Sequence, residues 1–187
     1  MNLSLLLFIT TIISAILQLP SMQSMAIWNH QLISSGEWWR IVSGNFTHTN
    51  LYHLILNAAA LWVIAFVFKP TAQSIGIVLI TVSAIVGSSL LFTNMGNYAG
   101  LSGVLHGVFA YYALMETLEG RRTSILLVLG VITKVAYEQW FGASESTAQL
   151  IGARVAVEAH LAGCIAGFAI YLFSMLLRRF SRPSSRS

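Results

Sequence analysis

Residues 51–68 read LYHLILNAAALWVIAFVF, and Lys69-Pro70 closes the stretch. It carries no Asp, Glu, Lys or Arg. A bilayer span takes roughly 20 mostly apolar residues. Backbone polar groups in lipid must bond internally, so this stretch is predicted to be a transmembrane helix. Working outward, further apolar stretches cover 3–19, 74–93, 101–117, 123–141 and 154–177. Pro20, Asn94 to Gly100, Glu119 to Arg122 and Gly142 to Gly152 separate them. The ~10-residue alternation of a membrane barrel is absent. The prediction is an all-α membrane protein: six transmembrane helices in a single domain over 1–187, with a basic tail at 178–187.

Composition agrees. Of 187 residues, 56% are hydrophobic and 9% charged, whereas a soluble domain carries about 25% charge. The mean hydropathy is +0.75. So few charges cannot cover a water-facing surface, which excludes an ordinary cytosolic enzyme, a disordered chain and a nucleic-acid binder. Lys69, Arg121, Arg122, Arg178, Arg179, Arg182 and Arg186 fall on one side of the spans, against Arg40 and Arg154 on the other. The positive-inside rule then makes both termini cytoplasmic. The first stretch has no basic residue ahead of its apolar core and is expected to be a retained helix, not a signal peptide. The loop from Pro20 to Asn50 falls on the outer side, with Trp28, Trp38 and Trp39 expected at the membrane interface. The absence of an internal repeat counts against a duplicated transporter.

Polar groups within spans are expensive and mark function. His53 and Asn57 share a helix face, being four apart. Ser102 opens the fourth span within Gly100-Leu101-Ser102-Gly103, and His160 lies early in the sixth. At ~1.5 Å rise per residue, all four lie within roughly 10 Å of the outer ends of their spans. A hydroxyl, two imidazoles and an amide at one depth suit nucleophilic acyl transfer, since serine needs an adjacent base. All six acids are Glu, so a Ser-His-Asp triad is impossible and the minimal unit is a Ser102–His160 dyad. Gly103 lets a carbonyl approach. The Ser102 backbone N–H with His53 and Asn57 is a candidate oxyanion hole. Gly103 and Gly107, and Gly163 and Gly167, are small-xxx-small pairs that allow close packing of the fourth and sixth helices. Lys134 and Glu138 read as a structural ion pair, with a proton relay as the sharper alternative. Glu158 points away from His160, and Cys164 is a packing residue. The chemistry needs no metal and no cofactor.

These motifs resemble those of rhomboid intramembrane serine proteases. Trp39-Arg40 in the outer loop, His53-Leu54-Ile55-Leu56-Asn57, Gly100-Leu101-Ser102-Gly103 and Ala159-His160-Leu161-Ala162-Gly163 are similar to that family's elements, in order and on the right helices. The resemblance implies Ser102 as nucleophile, His160 as base, an oxyanion hole involving His53 and Asn57, and structural support from the Trp39-Arg40 loop. It departs at His106, where rhomboids commonly carry Tyr. The string Ser102-Gly103-Val104-Leu105-His106-Gly107 is similar to the rhombosortase subgroup, associated with substrates bearing a C-terminal Gly-Gly membrane anchor. His106 is expected to stack on or hydrogen-bond the site, or to help read the substrate.

The resulting expectation is a bacterial inner-membrane endopeptidase with its site facing the periplasm, acting on a membrane-anchored protein within the lipid bilayer. The alternative from another class is a catalytically inactive rhomboid-like protein that binds transmembrane helices. A small transporter or proton channel using His53, His160, Lys134 and Glu138 is a third.

Overall fold

The computed structural model describes residues 1–180. Arg182 and Arg186, and with them most of the expected basic tail, lie outside the described residues. The order is α1 (Leu3–Ile16), α2 (Pro20–Ala26), β1 (Trp28–Asn29), α3 (His30–Ser34), α4 (Arg40–Ser43), α5 (Leu51–Phe68), α6 (Ala72–Ser89), β2 (Asn97–Tyr98), α7 (Ser102–Leu118), α8 (Ile125–Phe141), α9 (Glu145–Ile151) and α10 (Val157–Phe180). Short 3₁₀ turns extend α4, α6 and the start of α8.

Local chemistry sets the boundaries. Asn2, Asn50 and Thr71 cap α1, α5 and α6, each side chain accepting from a backbone N–H three residues on, which satisfies one orphan donor of the first turn. Lys69 closes α5 in the left-handed region at φ 45°, just before Pro70. Pro20 starts α2 at a position where a missing N–H costs nothing.

The protein is a helical membrane bundle. Among the described residues, four helical segments are long and apolar enough to cross a bilayer: Leu51–Phe68, Ala72–Phe92, Arg122–Phe141 and Val157–Arg178. The other two expected spans are shorter. Helix α7 has 17 residues, one fewer than α5 and at the lower end of the roughly 17–25 that a crossing takes. Helix α1 has 14 and is followed at Pro20 by a turn of 104° into α2.

Helix α7 is the centre of the molecule. It packs against α5, α6, α8 and α10, and its Val104, Val108, Ala110 and Ala113 are fully buried. Its contact with α10 is backbone to backbone. A Cβ on Gly163 would overlap the Gly103 carbonyl, and one on Gly167 would overlap that of Gly107. The small-residue spacing therefore does bring these two helices together.

The segment 20–50 differs from expectation. It is folded, and Trp28 is fully buried instead of interfacial. Its indole N–H donates to the Gly87 carbonyl at 2.9 Å, and its Cβ fills the place that a side chain on Gly44 would need. Gly44 leaves the room for Trp28, while the missing side chain of Gly87 admits the Ile41 carbonyl. Trp38 and Trp39 are exposed. Trp28-Asn29 pairs antiparallel with Asn97-Tyr98, joining this segment to the loop ahead of α7. Buried Arg40 pins this cap, donating to Glu37 (2.7 Å) and to the carbonyls of Ser24 (2.9 Å) and Ile27 (2.8 Å).

Candidate active site

Ser102 is the first residue of α7, where the first-turn N–H groups have no partner within the helix. Its lead-in is shaped by Gly100, whose φ of +136° suits glycine and whose Cβ would collide with the His53 ring. The Tyr98 hydroxyl donates to the Gly100 carbonyl at 2.5 Å and in turn faces the Gly103 N–H. Burial pushes the Tyr98 phenol well above its ordinary range, so it stays neutral.

His160 lies in the first turn of α10, buried. Its Nε2 is 2.9 Å from the Ser102 Oγ. The glycine seam between α7 and α10 sets that distance, because no side chain separates the backbones that carry the two groups.

The other polar residues gather here too. His53 is buried in the first turn of α5, its Nδ1 facing the Thr49 N–H (3.4 Å) and hydroxyl (3.0 Å). The Thr49 hydroxyl gives its one hydrogen to the Ile151 carbonyl, so of the two Thr49 groups near the ring the N–H is the donor to Nδ1. Asn57 donates one amide hydrogen to the His53 carbonyl at 2.9 Å and lines the same cavity as Ser102. His106 stacks on His160 with ring centroids 4.1 Å apart at 18°, and its Nδ1 lies 2.7 Å from the Ser102 carbonyl oxygen. Gly103 is buried, and a Cβ there would sit 2.8 Å from the Ala159 carbonyl. The close carbonyl it admits thus includes one from the protein's own α10. His48, just ahead of α5, packs edge-on to His53. Burial first, then the neighbouring His53, pulls the His48 pKa down to about 3, so the ring is neutral at physiological pH.

One participant is missing from the sequence reading. Glu138, near the end of α8, does pair with Lys134 (2.6 Å) as expected. Its second oxygen, however, lies 2.7 Å from the His160 Nδ1. The spacing of Lys134 and Glu138 on one helix pointed to their ion pair. Nothing in it pointed across to α10. Glu158, by contrast, pairs with Arg154 at 3.0 Å and stays out of the site.

A cavity of about 840 Å³ surrounds the group, lined by Asn57, Ser102, His106, Gly130, Lys134 and Glu138 among others. An apolar cavity of about 390 Å³ adjoins it between α5 and α8, along Ala60, Ile64, Leu105 and Val131. The donor atoms of His106, Glu138 and His160 lie within 4.8 Å of one another, close enough to consider a cation. The two imidazoles are stacked, so their lone pairs run side by side instead of converging on one point. Both His160 nitrogens are already bonded. This donor set is therefore arranged for hydrogen bonding.

The fold and site define a polytopic helical membrane protein with a serine hydroxyl, an imidazole and a carboxylate in one hydrogen-bonded chain at the wall of a cavity. The sequence matches the Rhomboid domain family model over residues 35–177. It is also similar to the rhomboid protease GluP of Bacillus subtilis (strain 168), with 28% identity over 143 residues that cover 74% of this chain and 26% of that protein. The chain belongs to the rhomboid family and is an integral, multi-pass membrane protein. It spans about a quarter of the length of that relative.

Proposed function

We propose that this protein is an intramembrane serine endopeptidase that cleaves membrane-anchored proteins near the outer face of the membrane. The observation that carries the reading is the 2.9 Å contact between Ser102 Oγ and His160 Nε2, made at a helix start that opens on a cavity. In this reading His160 accepts the Ser102 proton as Oγ attacks the scissile carbonyl carbon. The carbonyl π pair moves to oxygen, where the Ser102 N–H, His53 and Asn57 stabilise it. One such donor is typically worth ~3–4 kcal/mol of barrier. Collapse of the intermediate releases the new amine, which takes the proton from His160, and water then hydrolyses the acyl-enzyme. Gly103 keeps α7 and α10 close enough for the transfer, and His106 holds the plane of the His160 ring.

The orientation follows from the cations: both termini cytoplasmic, six spans, and a site facing the outer side, the periplasm if the membrane is a bacterial inner membrane. A substrate helix must unwind before attack, and each Gly lowers that cost by ~1 kcal/mol relative to Ala. A C-terminal Gly-Gly anchor of the rhombosortase type meets this requirement, and the presence of His106 four residues after Ser102 favours it. The adjoining apolar cavity has room for the flanking residues.

The test is cleavage of a reporter carrying a Gly-Gly, apolar and basic C-terminal anchor, in proteoliposomes. Wild type is expected to cleave it. Ser102→Ala and His160→Ala are expected to abolish cleavage, and undiminished cleavage by Ser102→Ala would sink the assignment. The alternative, an inactive protein that binds transmembrane helices, predicts a Ser102 inert to fluorophosphonates.

A further inference from the structure

The Ser102–His160 pair has a third member. We propose that Glu138 is the positioning acid of this site, completing a Ser102–His160–Glu138 relay on three different helices, with Lys134 anchoring its far oxygen. The inference rests on the reading of Ser102 and His160 given above.

The geometry assigns the protons. An ionised carboxylate only accepts hydrogen bonds, and Glu138 Oε2 lies 2.7 Å from His160 Nδ1. That nitrogen must therefore carry the hydrogen. The neutral ring then keeps its lone pair on Nε2, the nitrogen facing the Ser102 hydroxyl at 2.9 Å. Without an acceptor at Nδ1, the ring is free to take the other tautomer, which offers Ser102 no base. When the Ser102 proton passes to Nε2, the ring becomes a cation beside the Glu138 carboxylate. Glu138 stays ionised throughout and takes no proton, and the transferred proton leaves later with the amine product.

The carboxylate is held for this task. Glu138 is buried, with 9% of its surface exposed, while the Lys134 side chain that grips its other oxygen is half exposed at 52%. A pair serving only to neutralise Lys134 would gain nothing by burying its acid against α10. Lys134 from its own helix and His160 from α10 both contact the carboxylate, and His106 from α7 completes the surroundings within 4.8 Å.

The test uses the full chain in detergent micelles, with the rate of fluorophosphonate labelling of Ser102 as one readout. The second is the proton resonance of the His160 Nδ1–H, which a bonded carboxylate moves far downfield. Wild type is expected to label and to show that resonance, and Ser102→Ala to give no labelling. Glu138→Gln is expected to label roughly 10²- to 10⁴-fold more slowly, as when the acid of a serine triad is neutralised, and to lose the downfield proton. Glu138→Asp should recover part of the rate. Lys134→Met, which leaves the carboxylate in place, should keep the resonance and lose about tenfold or less. Glu138→Gln labelling within about threefold of wild type overturns the proposal. So does a wild-type spectrum with no downfield Nδ1 proton, a result that needs no variant to fold. Equal labelling of wild type and Ser102→Ala would instead break the assignment of Ser102, and the Nδ1 resonance still judges Glu138 separately.

Discussion

Glycines stand on both sides of α7's neighbourhood, and they do opposite things. On the α10 side, Gly103, Gly107, Gly163 and Gly167 have backbone against them where a Cβ would go. On the α8 side, Gly130 has nothing within 4 Å and lines both cavities. One set closes a gap and the other leaves one open. The difference shows how a small bundle reconciles a fixed pair of reacting groups with room for a substrate: it packs one face of α7 to backbone contact and leaves another face loose.

The strongest blow to this contrast is Gly163→Val. The new side chain must displace the Gly103 carbonyl, so α7 and α10 have to part. Overpacking of this kind costs about 1–3 kcal/mol or more. Melting in detergent should fall, and fluorophosphonate labelling should be lost with it, because Ser102 and His160 ride on the separated helices. A Gly163→Val protein that melts and labels like wild type would dissolve the seam's role.

His106 sits at the boundary between the two faces. His106→Ala removes a ring contact of the sort worth about 0.5–1.5 kcal/mol. Labelling should slow by up to about tenfold, and melting should fall by no more than a few degrees. A loss as large as that of Ser102→Ala would mean His106 itself handles the proton.

The smallest effect has the opposite sign. Gly130→Ala adds a methyl where there is space and removes a helix-interior glycine, which costs about 0.8–1.0 kcal/mol relative to Ala. The protein should become slightly more stable, while the narrowed cavity raises KM for the anchored reporter with kcat near wild type. Destabilisation by Gly130→Ala would show that the α8 face is as tightly fitted as the seam.

This contrast also explains what could be read from sequence. Ser102 at a helix start, His53 and Asn57 on one face, and the glycine pairs all follow from spacing within single helices. The α7–α10 contact was legible because small residues leave few alternatives for how two helices meet. The Glu138–His160 bond was not. It depends on the rotation of α8 about its own axis, and that is set by packing around a cavity, where residue spacing carries little information. Trp28 escaped for a related reason: it sits against Gly44 and bonds the Gly87 carbonyl, and neither glycine reveals its partner in the sequence. The spans at α5 and α8 were plain from hydropathy. Helix α1 is shorter than the apolar stretch 3–19 because it ends at Ile16, ahead of the turn that starts α2 at Pro20.

The missing side chains at the α7–α10 seam have a mechanical consequence. A layer of interdigitated side chains is compliant: rotamers give way, and the spacing between helices drifts with load. Two backbones in direct contact offer no such cushion. The separation of Ser102 and His160 is therefore set by backbone contact, with no side-chain rotamer in between to relax it, as a bearing keeps its clearance by having no padding in it.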